Sequence, residues 1–445
     1  MPDIGLGLRL PLVLALRTAC CARGLRPVSA LILRRGLATS STTCDSQRLR
    51  VVMYAMGNFG RDILKILRDD MRSDTGIIGS LDLVTFPKPK RDKNSVDVKK
   101  SSSRGKKKKK KKKGALGDDS ALNEHIVDAA INMQLPVSYI GRRARPAAAA
   151  GQGTSQHVGG DPAAPHDIAI VCMSPSSVPE LGQLRLGALK VHPSLLPKYR
   201  GPTPIQTAIM DDAPSTGVSV IEFYHTGEHG NILAQYPYAL DSQSTLMGVQ
   251  AALALLGGNL LLKVLGNLEH VRKHSVRQDR AQATYTEQAC IENTRIVWES
   301  MTAAEIYKRH RAYCGTAHMS AVWRRKHIMH TVLLLDMYLP DPDTPVLSEH
   351  YDDRPPGTVF FRRKSKYLEI PCIDGSRIHV TKLRVIGRTE KDAQGFVNGY
   401  LRVNGALRML TAPVKPKVPT PPFVYPPGHP KEGVVHTYVN QDFAF

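Results

Sequence analysis

From Leu49 to Asn267 short apolar, β-rich runs alternate with helical ones, and no other feature constrains the fold of this chain as tightly. "LRVVMYA" reads as a strand, Gly57 to Gly60 as a turn, and "RDILKILRDDM" as a helix whose apolar face carries Ile63, Leu64, Ile66 and Leu67. A lone GxxG is what any tight βα turn uses, so it does not by itself indicate a nucleotide. "SLDLVTF", "LPVSYI", "HDIAIVCMS", "LGALKVH", "TGVSVIEFY" and "NILAQYPYAL" continue the strands, with helices at "ALNEHIVDAAINM", "PIQTAIMDDA" and "SQSTLMGVQAALALLGGNLLLKVLGNL". Strands that alternate with helices predict an α/β fold, a Rossmann-like, doubly wound and mainly parallel sheet.

After Asn267 the pattern changes to a basic linker over 269–283, a helix at "TAAEIYKRHRAYC", and then short strands separated by turn residues. That layout predicts a small β-barrel of the oligonucleotide-binding (OB-like) type over 284–410, following a first domain over 48–268. Two stretches, 87–119 with its lysine run and 141–165 rich in Gly, Ala and Pro, cannot bury enough apolar surface to order themselves, and the tail 411–445 is Pro-rich. Residues 1–47 carry arginines at 9, 17, 23, 26, 34 and 35 with only Asp3 and Asp45 as acids, the composition of a mitochondrial transit peptide; a secretory signal is the competing reading. No later apolar run reaches the length of a membrane span without glycine and polar interruptions, so a mature chain that does not enter the membrane is expected. Seven cysteines without a CxxC pair suggest neither a metal site nor a disulfide framework.

The net charge is +22, which favours a polyanionic partner. One segment concentrates candidate chemistry. "LKVHPSLLPKYRGPTPI" leaves a buried strand through a stiff, proline-rich loop, and loops at the carboxyl ends of strands are where α/β folds bind ligands. His192 lies just past the strand end, as a catalytic base or a loop histidine.

The block from Val191 to Leu233, with its H-x-S-L-L-P-x-x-R-G-x-x-P-I run, the triplet Thr216, Gly217 and Val218, and "GEHGNIL", resembles the signature of the folate-dependent formyltransferases. Within them it is most similar to the branch acting on methionyl-tRNA. The resemblance implies formyl transfer from 10-formyltetrahydrofolate to an amine without a metal, and an initiator methionyl-tRNA as acceptor. It implies His192 as the catalytic imidazole and places Lys190 where the family has Asn and Glu228 where it has Asp. Ser194, Leu195, Leu196, Pro197, Arg200, Gly201 and Pro204 then form the folate loop. Lys88, Lys90 and Arg91, with Lys382, Arg384 and Arg388 in the second domain, are the expected tRNA contacts. The run Lys106 to Lys113 reads as a solvated charge tract. Aromatic stacking partners look sparse in the second domain. A cation at 190 opposes a positive charge on His192, and the extra methylene of Glu228 shifts its reach, so slower catalysis is expected. A tRNA- or folate-binding protein without activity, and a formyltransferase acting on a small-molecule amine, stay open as alternatives. A mitochondrial matrix monomer is expected.

Overall fold

The computed structural model describes residues 48–86, 119–140, 166–173, 178, 181, 184–224, 227–325, 328–341, 354–401 and 408–411. The leader 1–47, the lysine run and most of both predicted insertions and of the tail lie outside them. β1 (Leu49–Ala55), α1 (Gly57–Arg72), β2 (Ile78–Thr85), α2 (Asp119–Asn132), β3 (Val137–Tyr139), β4 (Ile168–Cys172), β5 (Ala188–His192), α3 (Pro204–Met210), β6 (Ser215–Glu222), β7 (Ile232–Ala239) and α4 (Leu246–Gly266) follow one another along the chain. The strands form one sheet in the order β3-β2-β1-β4-β5-β6-β7. The first five pair in parallel and the last two antiparallel. The order reverses between β1 and β4, so the carboxyl ends beside that crevice are where this topology places a site.

The glycines that punctuate the sequence do packing work. Gly57 has φ +67 and sits in open space, which makes it the turn residue. A Cβ on Gly60 would come within 2.8 Å of the Ala55 Cβ, so the GxxG lets α1 close on its strand. In α4 an added Cβ at Gly257 would meet Val218 Cγ2 at 2.9 Å and Val191 Cγ1 at 3.1 Å, and one at Gly258 would meet Ile66 Cδ1 at 2.6 Å. The helix is thus wedged between sheet and α1. With 21 residues it is long and apolar enough by length and composition to cross a membrane, contrary to the sequence expectation, but its buried residues Val249, Leu253, Leu261 and Val264 belong to the core of the first sheet.

α5 (Leu268–Lys273) makes part of the expected linker helical. α6 (Ala303–Tyr313) starts at a capping box of Thr302 and Glu305. Its Ala303 and Ile306 sit in a second core while Ala312 and Tyr313 sit in the first, so the helix spans both. The second core is built on β8 (Met319–Arg325), β9 (Ile328–Tyr338), β10 (Phe360–Arg362), β11 (Tyr367–Pro371), β12 (Arg377–Val385), β13 (Lys391–Asp392), α7 (Ala393–Phe396), a π-turn over Val397–Leu401, and β14 (Met409–Leu410). All its pairs are antiparallel, in the order β10-β11-β12-β9-β8-β14. Thr358 bridges Arg408, and the Met409 amide donates to the Gly357 carbonyl at 2.8 Å, which joins the two edges and closes the barrel.

Candidate functional site

All five residues of β5 are buried. Side chains alternate along a strand, so Lys190 and His192 share the face opposite Val191, which packs toward α4. The following loop is held by side chain to backbone bonds. Ser194 Oγ donates to the Lys198 carbonyl at 2.7 Å, Ser219 Oγ donates to the Ser194 carbonyl at 2.6 Å and accepts from the Leu196 amide at 3.1 Å, and Gln235 Nε2 donates to the Leu196 carbonyl at 2.8 Å. The Leu196–Pro197 peptide is cis, and Pro204 opens α3 at its first turn.

Glu228 comes from the loop between β6 and β7 and meets both β5 side chains. Its Oε1 is 3.3 Å from Lys190 Nζ and 3.4 Å from His192 Nδ1, while its Oε2 accepts from the Gly201 amide at 2.7 Å. Lys190 Nζ also donates to the Met173 carbonyl at 2.8 Å, so that among the described residues one of its three N–H groups is left for another acceptor. His192 Nε2 lies 3.0 Å from the Tyr199 carbonyl, which can only accept, so Nε2 carries the hydrogen and Nδ1 is the atom that gains a proton. Lys190 and His192 are each 3% exposed and Glu228 is 7% exposed. Burial, opposed by the attraction of Glu228, pushes the His192 imidazole down to about 4 and also lowers the Lys190 ammonium from its ordinary value. Burial raises the neighbouring Cys172 thiol to about 12 and keeps it protonated.

The expected folate loop is one unit, but most of it faces inward. Ser194, Leu196, Arg200 and Pro204 are buried and the Gly201 amide is committed to Glu228. Leu195 joins Lys198, Tyr199, Asp211, Asp212 and Thr216 in lining a cavity of about 360 Å³ at the same end of the sheet. Lys382 and Arg384 lie on β12, where the bulged register turns both away from Leu383 and Val385 in the core, and the Arg388 guanidinium sits 5.6 Å from the centre of the Tyr400 ring. Lys88, Lys90 and Arg91 lie outside the described residues. Aromatic rings are not sparse in this domain: Tyr367 stacks on His379 at 4.0 Å, and Tyr338 meets both edge-on at 6.1 and 5.2 Å. Among the described residues no group of His, Cys, Asp and Glu is arranged to hold a metal ion.

The sequence reading passed over the segment 276–287, taken there as linker and domain start. It is laid along the site as a strap, interrupted by a 3-10 turn over Arg280–Gln282. Ile232 and Val276 exchange amide bonds, the Arg200 amide donates to the Thr284 carbonyl at 2.8 Å, and the Thr286 amide donates to the Arg200 carbonyl at 2.7 Å. Gly201, at φ +117, passes so close that an added Cβ would lie 2.6 Å from Thr286 Oγ1. The alternating Thr284 and Thr286 are the one extended-strand signal the sequence offered.

Residues 169–265 match the family profile described as formyl transferase, and residues 291–401 match that of the formyl transferase C-terminal domain. The mitochondrial methionyl-tRNA formyltransferase of Homo sapiens is 29% identical over 219 residues, 48% of this chain and 54% of that protein. The methionyl-tRNA formyltransferase of Ehrlichia chaffeensis is 25% identical over 249 residues, 54% of this chain and 73% of the relative. The chain thus spans about half the length of the mitochondrial relatives it matches. Among solved structures, HypX from Aquifex aeolicus superposes with a TM-score of 0.46 at 14% identity, over 83% of this chain and 50% of that one.

Proposed function

We propose that the chain, whose residues 169–265 and 291–401 match the two formyl transferase profiles, moves a formyl group from 10-formyltetrahydrofolate to the amino group of initiator methionyl-tRNA in the mitochondrial matrix, after loss of the leader 1–47, as a monomer outside the membrane. The observation that carries this reading is the buried contact of Lys190, His192 and Glu228 at the carboxyl end of β5. Formyl transfer needs a donor for the oxyanion that develops on the formyl oxygen as the amine adds to the formyl carbon, and an acceptor for the proton of the attacking amine. The donor set fits both needs. The third N–H of Lys190 supplies the first, and neutral His192 takes the proton at Nδ1, where the Glu228 carboxylate stabilises the imidazolium, and returns it to the folate nitrogen as the bond from that nitrogen to the formyl carbon breaks. Ser194, Leu195, Leu196, Pro197, Arg200, Gly201 and Pro204 shape the folate side, Leu195 from the cavity wall and the others by fixing the loop. Lys88, Lys90, Arg91, Lys382, Arg384 and Arg388 neutralise tRNA phosphates.

One observation favours an impaired enzyme as a second reading: Lys190 and His192 compete for the same Glu228 oxygen. A fixed cation there opposes the imidazolium that must form. The deciding assay is formyl transfer to methionyl-tRNA by the chain without its leader, beside the Lys190→Asn, Glu228→Asp double variant. The expected result is measurable turnover that rises at least tenfold in the double variant and vanishes with His192→Ala. No transfer by either chain would overturn the enzymatic reading, and equal rates would make the lysine a competent donor.

A further inference from the structure

We propose that Gln278, from the strap beyond the first domain, is the positioning residue that sets the Glu228 carboxylate against His192 and Lys190. The inference rests on the formyl-transfer reading only for its kinetic consequence. Gln278 is 6% exposed, and every polar end of its amide is used. Its Nε2 donates to the Glu228 carbonyl at 2.9 Å and to the Gly230 carbonyl at 2.7 Å. Its Oε1 accepts from Arg200 Nη2 at 2.6 Å and Nε at 3.2 Å. Two carbonyls on one side and a guanidinium on the other allow only one orientation of the amide.

This side chain therefore ties together the two loops that must be in register. One loop carries Arg200 and the Gly201 amide; the other carries Glu228. Gly227, at φ +94, and Gly230, where a Cβ would collide with the Glu222 carbonyl at 1.7 Å, bracket Glu228 and His229, and His229 is exposed, so Glu228 gets no buried packing side chain from its neighbours in this loop. Among the described residues, Glu228 is anchored by the Gly201 amide, the two β5 side chains and the bond from Gln278. Arg200 needs the same amide, because a buried guanidinium is costly unless its donors are satisfied, and beside Gln278 its side-chain partner among the described residues is Tyr285, through the hydroxyl at 3.2 Å and the ring face. A 1 Å displacement in a catalytic constellation can cost on the order of 100-fold in rate, so the reach of this amide matters to chemistry although it lies outside the reacting atoms.

Two variants of the full chain separate positioning from general stability. Gln278→Glu keeps an acceptor for Arg200 but cannot donate to the two carbonyls; Gln278→Ala removes both functions. Hydrogen exchange of segment 198–205, read by mass spectrometry, reports the Gly201 amide bond to Glu228 without requiring activity. In Gln278→Glu that segment is expected to exchange at least tenfold faster while residues 49–55 keep their protection. The kcat for methionyl-tRNA should fall at least tenfold with KM changed less than twofold, and Gln278→Ala should fall further. Unchanged exchange in segment 198–205, or a fall in KM performance alone, would overturn the assignment. An unaltered chain without formyl transfer would sink the functional reading, and the exchange measurement would still decide the role of Gln278.

Discussion

His192 is a buried base whose Nε2 is engaged by the Tyr199 carbonyl and whose unprotonated Nδ1 faces Glu228, and its titration follows from that. Its folded pKa, pushed down to about 4 by burial, lies below the ordinary value of 6.5, so the folded state prefers the neutral ring. Stability from this group is fully present above about pH 6.5 and is lost as pH falls from there through about 4, because the unfolded chain takes up the proton first. The limiting slope for one proton is about 1.4 kcal/mol per pH unit. Urea unfolding at pH 7, 6 and 5 should show a steeper acid loss for the unaltered chain than for His192→Gln. Equal slopes would mean that the imidazole titrates alike in the folded and unfolded chain, with the attraction of Glu228 cancelling burial, and a shallower acid loss in the unaltered chain would mean that the folded imidazole is already charged. The same geometry explains why residue 190 matters so much: a lysine here is placed by the strand on the same face as the histidine, two residues away, and cannot avoid the shared carboxylate.

The element that positions this pair is α4 rather than the loop. Gly257 lets the helix rest directly on Val191 and Val218, and Lys190 and His192, on either side of Val191 in β5, project to the other face. Gly257→Leu forces four extra heavy atoms into a contact already at van der Waals limit, and overpacking of that kind typically costs about 1–3 kcal/mol. Thermal unfolding should shift down by roughly 2–4 °C per kcal/mol for a domain of this size. Gly399 has no heavy atom within 4 Å of an added Cβ and is the internal comparison: Gly399→Ala should leave the midpoint within a degree or two. A Gly257→Leu chain that melts with the unaltered protein would show that helix and sheet separate freely there.

For the molecule as a whole, the net charge of +22 is the quantity with the longest reach. Each phosphate neutralised releases counterions and adds close to 0.9 to the slope of log K against log salt. Replacing Lys382, Arg384 and Arg388 together by glutamine should weaken methionyl-tRNA binding and reduce that slope by roughly 2–3. Filter binding across a salt series measures it. An unchanged slope would remove this face of the barrel from the tRNA surface and leave the basic first domain to carry it. Arg388 is the weakest member of the set, since its guanidinium already rests on Tyr400.

Hydrophobic periodicity and glycine spacing were enough to read the alternating strands and helices, the barrel-like second half and the strand-end loop with His192, because a chain's alternation of burial is written locally. The motif around residues 190–205 and 216–228 named the side chains proposed for the site. What it could not supply was distance. That Lys190 and His192 share one oxygen of Glu228 depends on a loop 36 residues beyond His192 returning across the sheet, and that Gln278 holds this loop depends on a strap 50 residues further still. A glutamine inside a basic run carries no local signal, since nothing in its neighbours' polarity distinguishes a solvated amide from one whose every hydrogen bond is buried. The sequence determined which elements form and which residue types reach the strand end; the tertiary structure decided their partners, because a hydrogen bond between distant segments is set by the closure of the fold and not by the spacing of the residues that make it.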